Sequence, residues 1–508
     1  MDGPLLVLDR REGVPLGVQL VDGIRRGILG GLLEPGDPVP STRSLAAELG
    51  ISRSSVVAAY EQLAGEGYLE LRQGAPTRVA RLVVEPEASA PSARPMTVGR
   101  SGDRTTSADA AHDDERPHHR IDLLPGSPST ARIDERAWRS AWRRAAAAPI
   151  PRVSPPRAGL AGLREEIADH LRQARGVACT RDDIVVTAGT SDALGLLGAA
   201  LLELVRDDRP GGAPPVVAVE HPGYPSARRL LERRGLAIAP LPVDVDGLDL
   251  DALRRMHRPP QAVMVTPSHQ YPLGGRLPVA SRLELIDWAR ATGALIIEDD
   301  YDSEFRHLGA PLPALASLDR LGAASVGDER GAERTVLVGS FSKVLTPWLR
   351  LGYLVLPGDP ALRAAVLRIR ADEPCPVPGP AQEAMRAFLA SGALRRHITA
   401  TRRDYAHRRR MVQAALGELP GAPLSGLDGG LHAVVELADA EASASIVARL
   451  ADEGVGVAPL ADYSAVPGER PGGIVFGYAG VGDAQLGEGL ARIRAALVDT
   501  LDPAGGEG

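Results

Sequence analysis

The chain has 508 residues, 44% of them apolar, which suits about two to four globular domains and excludes disorder throughout. Its 58 basic and 65 acidic residues give a net charge of −7, so bulk attraction to nucleic acid or membrane is excluded and any DNA contact must be local. Two distant cysteines, Cys179 and Cys375, exclude a disulfide scaffold and a Cys-based zinc module and fit a reducing cytoplasm. No metal site is expected. No apolar stretch approaches the roughly 18 residues that span a bilayer, and the N-terminus carries no signal-peptide pattern.

Residues 1–80 read as a small, mostly helical unit. Ser41 caps a short helix that Gly50 stops, and Thr42 and Arg43 open its first turn. Ile51-Ser52 then makes a tight turn. Ser52 caps a second helix with Val56, Tyr60 and Leu63 on one apolar face. This is the order of a helix-turn-helix, with Arg53, Ser54 and Ser55 at the end that enters a major groove. Gly67 to Gly74 and Thr77-Arg-Val79 read as a hairpin, or wing, carrying Arg72 and Arg78. A helical dimerisation unit with solvated arginines fits too, because residues 1–80 hold eight arginines against ten acidic residues.

Residues 81–120 change character. The run from Glu85 to Pro95 and the polar sequence up to Arg120 have little to bury and read as a flexible linker. From Ile121 to residue 508 the chain is regular. Apolar runs at 184–186, 216–219, 262–265, 294–297 and 336–338 have strand length without alternation, as in strands buried on both faces of a mostly parallel sheet. Helical stretches such as 281–292 lie between them, an α/β pattern. Residues 400–508 mix a helix at 401–417 with shorter strands and form a smaller α+β lobe.

Of the 58 basic residues 57 are arginine, and the only lysine is Lys343. Guanidinium stays protonated and makes no imine, so the surviving lysine is a candidate for Schiff-base chemistry, or survives by chance. Lys343 follows a strand in Gly339-Ser-Phe-Ser-Lys343. Ser340, Ser342 and Arg350 around it suit the phosphate of a phosphorylated aldehyde. Gly189-Thr190-Ser191, between a strand and a helix, offers backbone N–H groups to a phosphate or is a plain N-cap. Glu298-Asp-Asp-Tyr-Asp302 ends a strand. It could place a carboxylate against a pyridinium nitrogen, form a metal site, or be a solvated loop; the nearby lysine favours the first.

The run Leu33-Glu-Pro-Gly-Asp-Pro-Val-Pro-Ser-Thr-Arg-Ser-Leu-Ala46, with Ser52 to Tyr60 and Gly65 to Tyr68, resembles the winged helix of GntR-type regulators. Pro76 departs from the usual wing turn. Thr187-Ala-Gly-Thr-Ser191, His221-Pro-Gly-Tyr-Pro225, Thr266-Pro-Ser-His-Gln270, Glu298 to Phe305, and Ser340-Phe-Ser-Lys343 with Arg350-Leu-Gly-Tyr353 resemble fold-type I aminotransferases. Both halves together resemble the MocR class, which fuses these two domains. The resemblance implies that Lys343 holds pyridoxal 5'-phosphate (PLP) as an imine. It also implies that Asp299 pairs with the pyridine nitrogen, Tyr301 bonds the phenolic oxygen, Tyr224 stacks on the ring, and His269 stands where aminotransferases carry an Asn.

Three departures accompany it. Ser154 stands where a Tyr often reaches the partner subunit's phosphate. The late strand Gly473 to Tyr478 has no Arg to bind a substrate carboxylate. Ser226 replaces an Arg found after the stacking Tyr in the GABA-sensing branch. The expectation is a cytoplasmic, homodimeric regulator that binds double-stranded operator DNA and responds to PLP or an amine effector. The aminotransferase-like domain then serves as sensor rather than catalyst. The alternative is a working aminotransferase with an appended DNA-binding domain.

Overall fold

The computed structural model describes residues 8, 16–29, 32–65, 68–70, 76–80, 120–208, 212–307, 313–325 and 333–501. The expected linker at 81–120 falls outside these residues except for Arg120, and Arg72 also lies outside them.

The N-terminal unit follows its local signals. Ser41 Oγ accepts from Ser44 N at 3.1 Å and starts the helix Thr42–Leu49, which ends at Gly50 in the left-handed conformation. Ser52 Oγ accepts from Ser55 N at 3.1 Å and caps the helix Arg53–Gly65. Val56, Tyr60 and Leu63 are all buried. Tyr60 also donates its hydroxyl to Pro40 O at 2.7 Å, tying this helix to the start of its neighbour. Leu69–Glu70 pairs antiparallel with Arg78–Val79 to form the wing. Residues 36–39 extend it, with Val39 N donating to Thr77 O and Val79 N to Asp37 O.

The large domain is built on one eight-stranded sheet. Its order is Ile184–Thr187, Gly352–Val355, Thr335–Ser340, Leu295–Asp300, Ala262–Val265, Val216–His221, Ala237–Asp244 and Gly247–Leu248. Five neighbouring strands, from Thr335–Ser340 to Ala237–Asp244, run parallel. Gly352–Val355 is antiparallel to both of its neighbours. That strand and Ala237–Asp244 escaped the sequence reading. Alternate residues of the central strands enter separate apolar cores. Val336, Val338, Leu295 and Ile297 pack toward the helices Thr190–Asp208 and Pro360–Asp372. Ile296, Val263 and Val265 pack toward Val279–Thr292 and Leu315–Ser325. Both faces are covered, which is why these strands lack alternation.

The smaller lobe is an antiparallel sheet ordered Leu424–Ser425, His432–Glu436, Gly473–Gly477 and Ala458–Pro459. Its long helix is Ala393–Leu416, so it begins before residue 400. Ile121–Asp122 pairs in parallel with Val455–Gly456. The first strand after the linker region is therefore stitched to the lobe at the far end of the sequence.

Buried carboxylates fasten helices to this sheet. Glu298 is fully enclosed and accepts from Leu315 N and Ala316 N, both at 2.9 Å, at the start of the helix Leu315–Ser325. Glu298→Ala strands both donors and is expected to lower unfolding free energy by about 1–3 kcal/mol. Urea denaturation checks this; an unchanged midpoint and slope would refute the role.

Candidate functional site

The parallel strands deliver their last residues to one edge of the sheet, where open α/β folds place ligands. A cavity of about 180 Å³ opens there. Its wall includes Gly189, Thr190, Ser191, Tyr224, Asp299, Tyr301, Ser340, Ser342, Lys343 and Arg350. Ten of the eleven residues expected around a cofactor thus meet at one place, although they come from five separate stretches of chain.

Lys343 lies just beyond Thr335–Ser340, and its Nζ donates to Gly126 O at 2.7 Å. Gly126 has φ 100°, and a Cβ there would sit 2.5 Å from Nζ. Only glycine permits this approach. Gly189, also left-handed at φ 78°, turns the strand Ile184–Thr187 into the helix Thr190–Asp208. The side chain of Asp192 accepts from Ala188 N at 2.9 Å and is paired with Arg370, which leaves the first-turn N–H groups beside the cavity. Ser340, Ser342 and Arg350 line the same cavity. Ser340 Oγ is already engaged by Ser342 N.

Asp299 and Asp300 diverge, as successive strand residues must. Asp300 pairs with buried Arg175 at 2.9 Å. Asp299 is 5% exposed, lines the cavity, and its carboxylate bonds to no other described residue. Burial, then Asp300, Glu220 and Asp302, push its pKa up to about 7, against an opposing pull from Lys343. An acceptor enclosed in this way fits a protonated ring nitrogen as its missing partner. With an amine, a carboxylate and a cluster of hydroxyls, N–H groups and Arg350, the wall fits a phosphorylated pyridine aldehyde.

His269 is the exception among the expected residues. It lies behind Tyr301 rather than on the cavity wall, with Nδ1 2.9 Å from Asp302 Oδ2 and Nε2 3.1 Å from Gly426 O. Burial alone would lower its pKa, but Asp302 raises it above the ordinary imidazole value. Tyr301 donates to His269 O at 3.0 Å, so the histidine holds the tyrosine ring. His269, Asp302 and His432 have ligating atoms within 4.8 Å of one another, a grouping that sequence spacing did not reveal. Both nitrogens of His269 already face oxygen acceptors, which leaves that ring no free ligand atom.

Gly126, Thr266, Tyr271, Pro347, Leu431 and His432 also line the cavity and were missed. Tyr271 follows the Thr266 to Gln270 motif directly, so that signal was available. Gly126, Leu431 and His432 arrive from distant sequence and carry no local signal.

On the N-terminal unit, Ser41, Arg43, Ser52, Arg53 and Ser54 are exposed, while Thr42 and Ser55 are half-buried. Ser52 Oγ is 2.8 Å from both Ser54 Oγ and Ser55 Oγ, so these hydroxyls first serve the cap. Arg53 projects at the start of the second helix. Arg78 is exposed but donates to Gly36 O at 2.7 Å, bracing the wing.

Residues 122–493 match the family model described as aminotransferase class I and II, and residues 16–79 match bacterial regulatory proteins of the gntR family. The chain is 41% identical to the HTH-type pyridoxine biosynthesis transcriptional regulator PdxR of Corynebacterium glutamicum, over 97% of this chain and 98% of that one. It is 31% identical to the probable rhizopine catabolism regulatory protein MocR of Rhizobium meliloti, over 97% and 96%. Among solved structures, the α-aminoadipate aminotransferase LysN of Thermus thermophilus, complexed with N-(5'-phosphopyridoxyl)-L-leucine, matches with TM-score 0.65 at 24% identity, covering 76% of this chain and 93% of that one. A winged helix-turn-helix and a fold-type I aminotransferase domain in one chain, together with these full-length relatives, make it a member of the MocR class of GntR-type transcriptional regulators.

Proposed function

We propose that this regulator senses PLP at Lys343 and changes its hold on operator DNA in response. The observation that carries the reading is the placement of the only lysine in a cavity with Asp299, a carboxylate that bonds to no other described residue. Bound there, PLP would supply an aldehyde electrophilic toward a primary amine. Lys343 provides that amine. Asp299 holds the ring nitrogen, Tyr301 faces the phenolic oxygen, and Tyr224 covers a ring face. Gly189, Thr190, Ser191, Ser340, Ser342 and Arg350 receive the phosphate. His269 acts through Tyr301.

The name of the Corynebacterium relative supports vitamin B6 synthesis as the controlled process and PLP as the effector. The lack of an Arg in residues 473–478 supports it as well, because an amino-acid carboxylate has no bidentate anchor on that strand. The alternative of a working aminotransferase needs such an anchor to orient its substrate. The proposed DNA contacts are Ser41, Thr42, Arg43, Ser52 to Ser55, Arg72 and Arg78. Two copies of the chain bring paired winged helices to one operator, and residues 81–120 link each to its sensor. No helix among the described residues is long and apolar enough to cross a membrane, and the proposed setting is cytoplasmic.

DNA titrations of apo and PLP-loaded protein, beside a panel of amino donors and keto acids, test the reading. The expected result is altered DNA affinity or bound geometry without multiple turnovers. Sustained turnover and identical DNA binding would reverse it. Borohydride reduction of the loaded protein should fix PLP at Lys343 alone, and Lys343→Arg should abolish the label while keeping the fold. Label at another residue would contradict the assignment.

Asp299 must be ionised to pair with a protonated ring nitrogen. Below pH 7 binding therefore expels its proton, and PLP affinity should rise about tenfold between pH 6 and pH 8. Asp299→Asn should weaken binding at pH 8 and flatten this rise; an equally steep profile in the variant would assign it to another group. Arg53→Ala should weaken operator binding by about 1–3 kcal/mol if the guanidinium reads a base edge. Unchanged affinity would favour a dimerisation role for the N-terminal unit.

A further inference from the structure

His432 occupies the wall where the late strand offers nothing. In the small lobe His432 stands directly opposite Gly477 in antiparallel register. Residues so paired project to the same face of a sheet. Gly477 has no side chain, and a Cβ there would meet Leu124 O at 3.0 Å. The polar group at this register is therefore the imidazole of His432, which lines the cavity together with Lys343.

Its protonation follows from its bonds. His432 Nε2 lies 2.8 Å from Pro272 O, an acceptor, so Nε2 carries a proton and donates. Nδ1 has no hydrogen-bond partner among the described residues. The ring lines the cavity beside Lys343, and with Nε2 taken by Pro272 O, Nδ1 is the ring atom left to bond a ligand there. A second proton is opposed on two sides. Burial first, and the charge of His269 next, hold His432 down to about 3. The two rings are 5.1 Å apart. Tyr271 closes the other side of the imidazole, its ring at 4.9 Å, and its hydroxyl is 3.2 Å from that of Tyr463.

We propose that His432 makes this end of the cavity a hydrogen-bond acceptor, so that the ligand admitted beside Lys343 is an amine bearing a hydroxyl or second N–H donor rather than a carboxylate. A carboxylate oxygen would face the lone pair of Nδ1 with no proton between them. Lys343 and Arg350 are the cations among the described residues that line the cavity, and the proposed PLP reading already gives Lys343 the aldehyde and Arg350 the phosphate. This inference rests on the reading of the Lys343 cavity as the PLP site and adds the class of ligand that joins the cofactor there.

The test uses the full-length, PLP-loaded protein and calorimetric titration with ethanolamine, propylamine and β-alanine. These probes share an amine and differ in ending as hydroxyl, methyl and carboxylate. Ethanolamine should bind about tenfold more tightly than propylamine, the worth of one well-made hydrogen bond, and β-alanine should bind weakest. His432→Leu should erase the gap between ethanolamine and propylamine. His432→Gln retains both a donor for Pro272 O and an acceptor, and should restore the gap. β-Alanine binding as tightly as ethanolamine to the native protein would overturn the proposal even if the Leu variant failed to fold. A gap that survived in a folded His432→Leu would do the same. The cofactor absorbance separates the two readings: a normal spectrum with the wrong ranking counts against His432 alone, whereas failure to take up PLP removes the cofactor reading and this one with it.

Discussion

The approach of one ε-amine to one glycine carbonyl organises the aminotransferase-like half of this chain. Lys343 Nζ reaches Gly126 O only because position 126 has no side chain. That contact joins the loop after the sheet strand Thr335–Ser340 to the segment following Ile121–Asp122, which is itself paired with Val455–Gly456 near the C-terminus. The lysine therefore sits where the large domain, the entry segment and the smaller lobe converge. A chain that elsewhere uses arginine for every basic position has kept its only primary side-chain amine at this junction.

The electrostatics around that amine are unusual for an interior. Glu220, Glu298 and Asp299 are buried, and the side chain of Asp300 is largely withdrawn from water. Three of them are spoken for: Glu220 by Thr266 N and Gln270, Glu298 by two helix N–H groups, and Asp300 by Arg175. Asp299 alone turns to the cavity. A carboxylate that is costly to ionise and lacks a protein partner favours a cation delivered from outside. The second neighbourhood of the cavity has the opposite character. Asp302 raises the pKa of His269, whereas burial and the charge of His269 hold His432 beside it down to about 3. One end of the site thus awaits a cation while the other offers a neutral acceptor.

Much of this was legible in the sequence because the signals were local. Ser41 and Ser52 as caps, Gly50 as a stop, and the apolar face of Val56, Tyr60 and Leu63 depend on neighbours within a few residues. So do strands that end in Asp300, Ser340 or Thr187, since a strand buried on both faces reads as an unbroken apolar run. What was missed is tertiary. Gly352–Val355 enters the sheet antiparallel and reads as part of a binding motif rather than as a strand. Gly126, Leu431 and His432 reach the cavity only through the packing of segments distant in sequence. His269 was expected on the wall from the position of its motif. The structure sets it one layer back, because its two ring nitrogens find Asp302 and Gly426 there.

Regulation requires that the ligand bind two states of the protein with different affinities. We propose that this difference arises at Lys343, because a lysine amine can form an imine with PLP and an arginine cannot. The most direct measurement is operator affinity of the native protein and of Lys343→Arg, each titrated with PLP in the same buffer. A PLP-dependent shift is expected in the native protein and a flat response in the variant, with equal affinity for DNA when both are free of PLP. An equal PLP response in the two proteins would contradict it.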